Sequence, residues 1–222
     1  MGKNVQLKAA DGHTFDAYVA EPAGKPRGAI VVIQEIFGVN SHVRSVADGY
    51  ARDGYLAVAP ALYDRVQRKY ETGYSQDEIQ AGVAVRGKIT NDQALADVQA
   101  AIDYAKQAGK VGIVGYCWGG TLAWLAASRA DGLAASVSYY GGGVPGLKDE
   151  KPKVPTMFHF GKTDHSIPLE KAEEVAKAHP EVTTYYYDAG HGFNCDQRGS
   201  FDAASAGAAR ARALEFFRKH VG

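Results

Sequence analysis

The sequence predicts an α/β protein built on a mainly parallel sheet with helices on both faces. Short runs of β-branched and other apolar residues recur along the 222 residues, as in strands that are buried on both faces. Helical patterns separate most of these runs, and such alternation is typical of βαβ units. The chain has no internal repeat and no Pro/Gly/Ser-rich linker. We therefore expect a single domain over residues 1–222.

The predicted strands begin with a hairpin between residues 5 and 20, because alternating apolar residues flank the turn Ala10-Asp11-Gly12-His13. The other strand candidates span residues 29–33, 55–59, 111–114, 134–140, 156–160 and 183–187. Helices are predicted at residues 40–52, 91–108, directly after Cys117, 168–178 and 201–220, with Asn91 as an N-cap and Pro168 in a first turn. Residues 64–87 are polar and weakly periodic, which indicates a loop with a helix, part of a lid.

Charge and composition exclude several classes of function. Lysine and arginine number 25, as do aspartate and glutamate, so nothing in the charge balance suggests a general affinity for nucleic acid or an anionic membrane. Two cysteines do not make a disulfide framework. The N-terminus lacks the apolar run of a signal peptide, and no apolar stretch is long enough to cross a bilayer. We expect a cytoplasmic protein, either a monomer or a homodimer.

The stretch around Cys117 is the most informative part of the chain. Gly115-Tyr116-Cys117-Trp118-Gly119 follows an apolar run and precedes a helical one, which is the setting of a nucleophile elbow. Such a turn strains its central residue and requires small neighbours. The central side chain then stands over the first N–H groups of the helix, which favour a thiolate and a nearby oxyanion. A buried structural cysteine in a glycine-rich turn is the alternative.

A nucleophilic cysteine needs a base and a group that orients the base. Asp164 and His191 each follow a predicted strand, and sites in open α/β sheets form at the carboxyl ends of strands. The chain order is therefore nucleophile, acid, histidine. Taken alone, Asp164 could simply form an Asx-turn, and His191 could be an exposed turn residue. His165, which adjoins Asp164, is the only rival for the base.

Six sequence blocks resemble the dienelactone hydrolases, a thiol branch of the α/β-hydrolase fold, in order and across nearly the whole chain. The blocks are Gln34-Glu35-Ile36-Phe37-Gly38, Ala59-Pro60-Ala61-Leu62-Tyr63, Val114-Gly115-Tyr116-Cys117-Trp118-Gly119-Gly120, Tyr139-Tyr140-Gly141, Gly161-Lys162-Thr163-Asp164 and Ala189-Gly190-His191-Gly192-Phe193. The resemblance implies that Cys117 attacks the carbonyl of a small lactone or ester and forms a thioester acyl-enzyme. It also implies an oxyanion hole made by the backbone N–H groups of Trp118 and Ile36. His191 would move the proton and Asp164 would fix its tautomer.

Glu35 ends a strongly apolar strand, where an unpaired carboxylate is costly, so we expect it to have a partner. In the family that the chain resembles, this glutamate lies beside the cysteine and influences its protonation. Our hypothesis is that Glu35 takes the Cys117 proton as substrate arrives. The alternative is a carboxylate paired with a loop arginine such as Arg65.

The sequence defines substrate recognition less well. The resemblance implies that arginines bind a substrate carboxylate, but Cys195 stands where the arginine after the histidine is expected. Arg198 and Arg86 are the nearest replacements and Arg65 is a third candidate, although each could be a solvated charge. Four aromatic residues near the predicted site could line an apolar pocket or belong to the core: Phe37, Tyr63, Trp118 and Tyr140.

No motif supports a metal or a cofactor. Gly161-Lys162-Thr163 lacks the first glycine of a P-loop, and the chain has no HExxH and no CxxC pair. Cys195 is expected to be an incidental thiol. Two other functions stay open besides hydrolysis. One is ligand binding or oxidation sensing through Cys117, against which the complete triad argues. The other is acyl transfer to an acceptor other than water.

Overall fold

Eight strands form one sheet in the computed structural model, which describes residues 2–222; Met1, included in the single-domain prediction, lies outside the described residues. The strands are β1 (Lys3–Lys8), β2 (Thr14–Ala20), β3 (Ala29–Ile33), β4 (Leu56–Pro60), β5 (Val111–Tyr116), β6 (Leu133–Tyr139), β7 (Thr156–Gly161) and β8 (Thr183–Tyr187). Their order across the sheet is β1-β2-β4-β3-β5-β6-β7-β8. β2 pairs antiparallel with β1 and β4, and every other pairing is parallel. The predicted hairpin and mainly parallel sheet are confirmed.

The helices are α1 (Ser41–Arg52), α2 (Gln76–Arg86), α3 (Asn91–Ala105), α4 (Trp118–Arg129), α5 (Leu169–Ala178) and α6 (Ala203–His220), with short 3-10 helices at Leu62–Arg65, Lys106–Ala108 and Pro145–Leu147. The predicted helices are therefore present. None of the helices in residues 2–222 combines the length and the apolar character that a bilayer crossing requires.

The predicted helix starts at residues 40, 168 and 201 were too early, because the helices begin at Ser41, Leu169 and Ala203, and the predicted N-cap of α3 was wrong by one residue. The N-cap of α3 is Thr90, not Asn91, because Thr90 and Gln93 form a capping box in which Thr90 Oγ1 accepts from the Gln93 N–H at 3.2 Å. Asn91 is already in the first helical turn. Pro168 has extended backbone geometry (ψ 137°) and precedes the first turn of α5 as its N-cap residue.

The helices cover both faces of the sheet, as predicted. β3 is buried along its length, and its side chains point alternately to the two faces. Ile30 and Val32 belong to a core that includes residues of α1 and α6, whereas Val31 and Ile33 belong to a core with residues of α3 and α4. β5 lies next to β3 in the middle of the sheet, so the residue that follows β5 sits at the centre of the sheet's carboxyl edge.

The segment over residues 64–87 contains a helix, as predicted, and α2 within it packs on the loop after β3. A capping box of Ser75 and Glu78 starts α2. The Tyr63 hydroxyl donates to the Gly82 carbonyl at 3.1 Å, and a Cβ at Gly82 would collide with the Ile36 carbonyl. α2 therefore approaches the loop that follows β3 as closely as backbone atoms allow.

Candidate active site

Cys117 occupies a sharp turn between β5 and α4, so the predicted strand–turn–helix arrangement is confirmed. Its backbone has φ 55° and ψ −116°, a conformation that costs energy for a residue with a side chain. A Cβ at Gly119 would lie 2.5 Å from the carbonyl oxygens of both Ile33 and Gln34. Only glycine therefore fits at this position. The close packing against the end of β3 holds the half-buried Cys117 at the carboxyl edge of the sheet.

Two backbone N–H groups lie near this turn. Trp118 is the first residue of α4, so its N–H has no acceptor within the helix. The N–H of Ile36, in the loop after β3, donates to no acceptor within residues 2–222. β3 and β5 are hydrogen-bonded neighbours, with Ile33 opposite Gly115, so this loop runs beside the turn at Cys117. The predicted oxyanion hole stays a prediction, and its two donors come from adjacent segments.

Asp164 and His191 are joined by a hydrogen bond of 2.8 Å between Oδ2 and Nδ1. The Asp164 side chain is fully buried. Its other oxygen accepts from the N–H groups of Ser166 at 2.8 Å and Ile167 at 3.2 Å. Asp164 thus forms the Asx-turn as well as orienting the histidine. His165 is exposed, whereas the His191 side chain is only 17% exposed.

The surroundings of His191 favour its protonated form. Burial by itself lowers the pKa of His191, but the hydrogen bond to Asp164 and the interaction with the Cys117 sulfur outweigh it and raise that pKa to about 10. The Tyr140 ring packs edge-on against the imidazole, with 5.1 Å between ring centroids. The structure therefore brings Cys117, His191 and Asp164 together, with the proton favoured on the imidazole.

Glu35 is paired with Arg198. Arg198 Nη1 donates to Glu35 Oε1 at 3.2 Å, and the side chains are 17% and 2% exposed, respectively. The Arg198 guanidinium also lies over the Phe37 ring, 5.4 Å from its centroid. Burial lowers the pKa of Arg198, but the neighbouring Glu35 and Cys117 raise it, which keeps the guanidinium charged. A buried ion pair therefore lies beside Cys117.

Arg65, which we considered both as the partner of Glu35 and as a substrate ligand, is placed elsewhere. Its Nε and Nη2 each donate to Asp97 at 2.8 Å, and its Nη1 contacts Asp11 at 2.8 Å. All three guanidinium nitrogens are engaged by these carboxylates, because α3 and the β1–β2 turn present Asp97 and Asp11 to the same side chain. The structure does not bring Arg65 to Cys117.

A cleft of about 380 Å³ opens beside Cys117, a size that suits a small molecule. Arg86 lies on its wall, with its guanidinium carbon 5.4 Å from the Trp118 ring centroid and Nη2 donating to Asn91 Oδ1 at 3.3 Å. Asn91 and Thr121 also line the cleft. Sequence reasoning placed Asn91 at a helix start but gave it no role in the site, and it missed Thr121, which has no sequence signal.

The other predicted aromatic residues form a buried layer behind the site. Tyr63 stacks on Trp118 with 5.7 Å between centroids, and Phe37 lies beneath Arg198. Phe37, Tyr63 and Tyr140 are all almost fully buried. The core alternative therefore describes their packing better than a pocket lining does. Burial and the nearby Glu35 raise the pKa of Tyr140, so its phenol stays neutral.

Three potential metal ligands lie together although no sequence motif unites them. His42, Cys195 and Asp196 each place one ligand atom within 4.8 Å of the others. His42 comes from α1, whereas Cys195 and Asp196 follow the loop of His191. The separation of about 150 residues explains why motif reasoning, which depends on short spacing, did not find them.

Known proteins resemble this chain along most of its length. The model of the dienelactone hydrolase family matches residues 15–221. The carboxymethylenebutenolidases of Pseudomonas putida and Pseudomonas knackmussii are each 36% identical over 226 residues, covering 96% of this chain and 95% of the relative.

Solved structures show the same architecture. A Klebsiella pneumoniae protein proposed to be a dienelactone hydrolase is 28% identical and superposes with a TM-score of 0.87, with 99% of each chain covered. An esterase from Pyrococcus furiosus is 16% identical, with a TM-score of 0.74 over all of this chain and 94% of its own, and shares the fold.

Proposed function

Because this chain belongs to the dienelactone hydrolase family of α/β-hydrolases, we propose that it hydrolyses small lactones or carboxylic esters through a thioester on Cys117. One observation carries the proposal. The strained Cys117 at the start of α4 interacts with a histidine whose Nδ1 is held at 2.8 Å by a buried aspartate. A nucleophile, a base and an orienting acid in this arrangement support nucleophilic catalysis.

Acylation begins when the Cys117 sulfur attacks the substrate carbonyl carbon. Since Nδ1 of His191 is engaged by Asp164, Nε2 is the nitrogen left for the thiol. The carbonyl oxygen becomes an oxyanion, for which the N–H groups of Trp118 and Ile36 are the candidate donors. The C–O bond to the leaving group then breaks, and the alkoxide takes the proton from His191.

Deacylation repeats these steps with water as the nucleophile. His191, now neutral, removes a proton from a water molecule that attacks the thioester carbonyl. The C–S bond breaks, and the thiolate is regenerated beside the protonated imidazole. The pKa of about 10 keeps this proton on His191, because both Asp164 and the Cys117 sulfur stabilise the imidazolium.

In this proposal the Glu35–Arg198 pair acts as a gate, meaning that the Cys117 thiolate forms only when substrate binds. In the structure its carboxylate is held by Arg198 at 3.2 Å, which limits its availability as a base. A substrate carboxylate that competes for Arg198 would release Glu35, which could then accept the proton of the Cys117 thiol as substrate arrives. Glu35 would return this proton to the Cys117 thiolate when the product leaves and Arg198 pairs with Glu35 again. The pairing therefore links recognition of a negative substrate to the generation of the thiolate.

Arg86 is the second candidate for binding a substrate carboxylate. It lines the 380 Å³ cleft and makes one hydrogen bond, to Asn91, so donors remain for a ligand. Phe37, Tyr63 and Tyr140 would support this site from behind by positioning Arg198, Trp118 and His191.

Intact-mass measurement tests the proposal. The protein is mixed with a small activated ester or with dienelactone, and its mass is followed through the reaction. We expect a transient acyl adduct together with turnover in the wild type and in Cys195→Ala, and neither in Cys117→Ala. Absence of adduct and turnover with both substrates, or an adduct that persists in Cys117→Ala, would refute catalysis through Cys117.

The remaining expectations on context belong to the same proposal. We expect a cytoplasmic single-domain protein, either monomeric or homodimeric, and the formal net charge of zero gives no reason to expect a nucleic-acid partner. Light scattering on the purified protein measures its oligomeric state directly.

A further inference from the structure

A thiol, an imidazole and a carboxylate meet between the start of α1 and the loop after His191. The cluster contains His42, Cys195 and Asp196, whose ligand atoms all lie within 4.8 Å of one another. His42 Nδ1 lies 3.0 Å from Asp196 Oδ1. Neither His42 nor Asp196 is used by the proposed hydrolysis, so the function described above does not explain why these groups are gathered here.

The burial of the three groups is that of a site with one open side. His42 is 4% exposed and Cys195 is fully buried, whereas the Asp196 side chain is 62% exposed. His42 Nδ1, which faces Asp196 Oδ1 at 3.0 Å, is the nitrogen placed to bind a metal there, and the metal would take the place of this contact.

The chemistry of the donors selects a class of ligand. Thiolate, imidazole and carboxylate together suit Zn²⁺ and similar borderline-soft dications. Tetrahedral Zn²⁺ with these donors holds its ligand atoms about 3.3 to 3.8 Å apart. The longest separation in the cluster therefore needs to shorten by at most about 1.5 Å, whereas the His42 and Asp196 atoms, at 3.0 Å, need to move slightly apart. Water can occupy the fourth position from the exposed side of Asp196.

A carboxylate and a thiolate in one cluster match the charge of a dication. The thiol proton would leave to solvent as the metal–sulfur bond forms, because the thiolate is the ligand.

Hydrogen bonds fix the position of the segment that carries Cys195. Cys195 N–H donates to the Gly192 carbonyl at 3.0 Å, and Arg198 N–H donates to the Cys195 carbonyl at 3.1 Å. Ser41 and Gln197 form a further hydrogen bond of 3.0 Å beside the His42–Asp196 contact. The ligands are thus held by two consecutive turns and by contacts to α1, which lowers the cost of ordering them on binding.

We propose that His42, Cys195 and Asp196 form a binding site for a divalent transition metal of the Zn²⁺ class. A metal there would join the start of α1 to the loop that carries both His191 and Arg198. The proposal does not depend on hydrolysis through Cys117.

Titration with Co²⁺ tests the site, because thiolate coordination produces a charge-transfer absorption band that reports the ligand directly. The parent protein for the test is Cys117→Ala, in which Cys195 is the only thiol. We expect a saturable band with one Co²⁺ per chain and its loss in Cys117→Ala/Cys195→Ala. Asp196→Asn and His42→Gln, each added to Cys117→Ala, should weaken binding at least tenfold.

The chain offers a matched control. His179 and Glu181 form a similar pair of a buried imidazole and an exposed carboxylate, with 3.0 Å between Nδ1 and Oε1, but no cysteine lies in that pair. Glu181→Gln should leave Co²⁺ affinity unchanged. The proposal is wrong if the parent gives no thiolate band or if Asp196→Asn binds as tightly as the parent. Because Asp196 is exposed, its substitution tests the site even where Cys195→Ala fails to fold.

Discussion

Replacing Asp164 by asparagine should separate the orienting role of this residue from its structural role. The asparagine carbonyl oxygen can keep accepting from the N–H groups of Ser166 and Ile167, so the Asx-turn is retained. The amide nitrogen, however, would donate to Nδ1 of His191, where the carboxylate now accepts. The imidazole proton would then reside on Nε2, and this nitrogen could no longer accept a proton from the attacking water.

The effect on stability follows from the pKa of His191. A rise in this pKa from 6.5 to about 10 means that the fold stabilises the imidazolium by roughly 5 kcal/mol, at about 1.4 kcal/mol per pKa unit. The interactions with Asp164 and Cys117 share this stabilisation. Asp164→Asn should therefore lower the free energy of unfolding by roughly 2 to 3 kcal/mol. Because the folded-state pKa is raised, this stabilisation is fully present below pH 6.5 and is lost as the pH rises through about 10.

Two assays check these expectations. Denaturant unfolding of wild type and Asp164→Asn from neutral to alkaline pH should show a difference that shrinks toward pH 10. Turnover of an activated ester should fall by about 10⁴-fold in the variant, as expected when the base holds the wrong tautomer. Asp188→Asn is the control, because Asp188 is exposed and pairs with Lys162 just before His191. Turnover within tenfold of wild type in Asp164→Asn, or a pH-independent stability difference, would refute the reasoning.

Three other substitutions test the turn, the cleft and the gate. Gly119→Ala should lower the free energy of unfolding by about 2 to 3 kcal/mol and the melting temperature by roughly 4 to 12 °C, because the added Cβ collides with two carbonyl oxygens. Gly146→Ala is the control and should leave both quantities unchanged, because its Cβ would lie in open space. Arg86→Gln should raise KM about tenfold or more for a carboxylated lactone but not for a neutral ester. The control Arg218→Gln, at an exposed position, should change neither KM value. Equal effects of Arg86→Gln on both substrates would contradict carboxylate binding. Glu35→Gln should shift the pH dependence of Cys117 alkylation, and an unchanged profile would rule out the gate.

The positions of the three proposed catalytic groups could be predicted because each depends on local sequence. The turn at Cys117 requires glycine on both sides, and Asp164 and His191 lie directly after strands that their own apolar residues define. Parallel strands then bring their carboxyl ends to one edge without further information. The fold was predictable for the same reason, since burial on both faces gives each central strand a continuous apolar sequence.

Partners that are set by tertiary contact could not be predicted in this way. Arg65 and Arg198 are both loop arginines by sequence, but Arg65 meets Asp11 and Asp97 whereas Arg198 meets Glu35. The choice depends on which carboxylate each guanidinium can reach after folding, and no local pattern encodes that distance. The N-cap of α3 and the start of α5 were each misplaced by one residue, because a sequence pattern defines the ends of a helix less sharply than its middle.

The position of Arg198 shows how a shifted residue can still reach the site. It lies seven residues beyond His191 in sequence, but consecutive turns fold the chain back, with N–H donation from Cys195 to Gly192 and from Arg198 to Cys195. Gly192 has φ +78°, and a Cβ there would lie 2.7 Å from the guanidinium carbon of Arg198. The glycine therefore allows the arginine to lie against the histidine loop and reach Glu35. Spacing along the chain does not measure distance in the folded loop. Although Cys195 stands where an arginine is expected, Arg198 still supplies the positive charge beside Cys117. Position 195 can therefore carry a thiol.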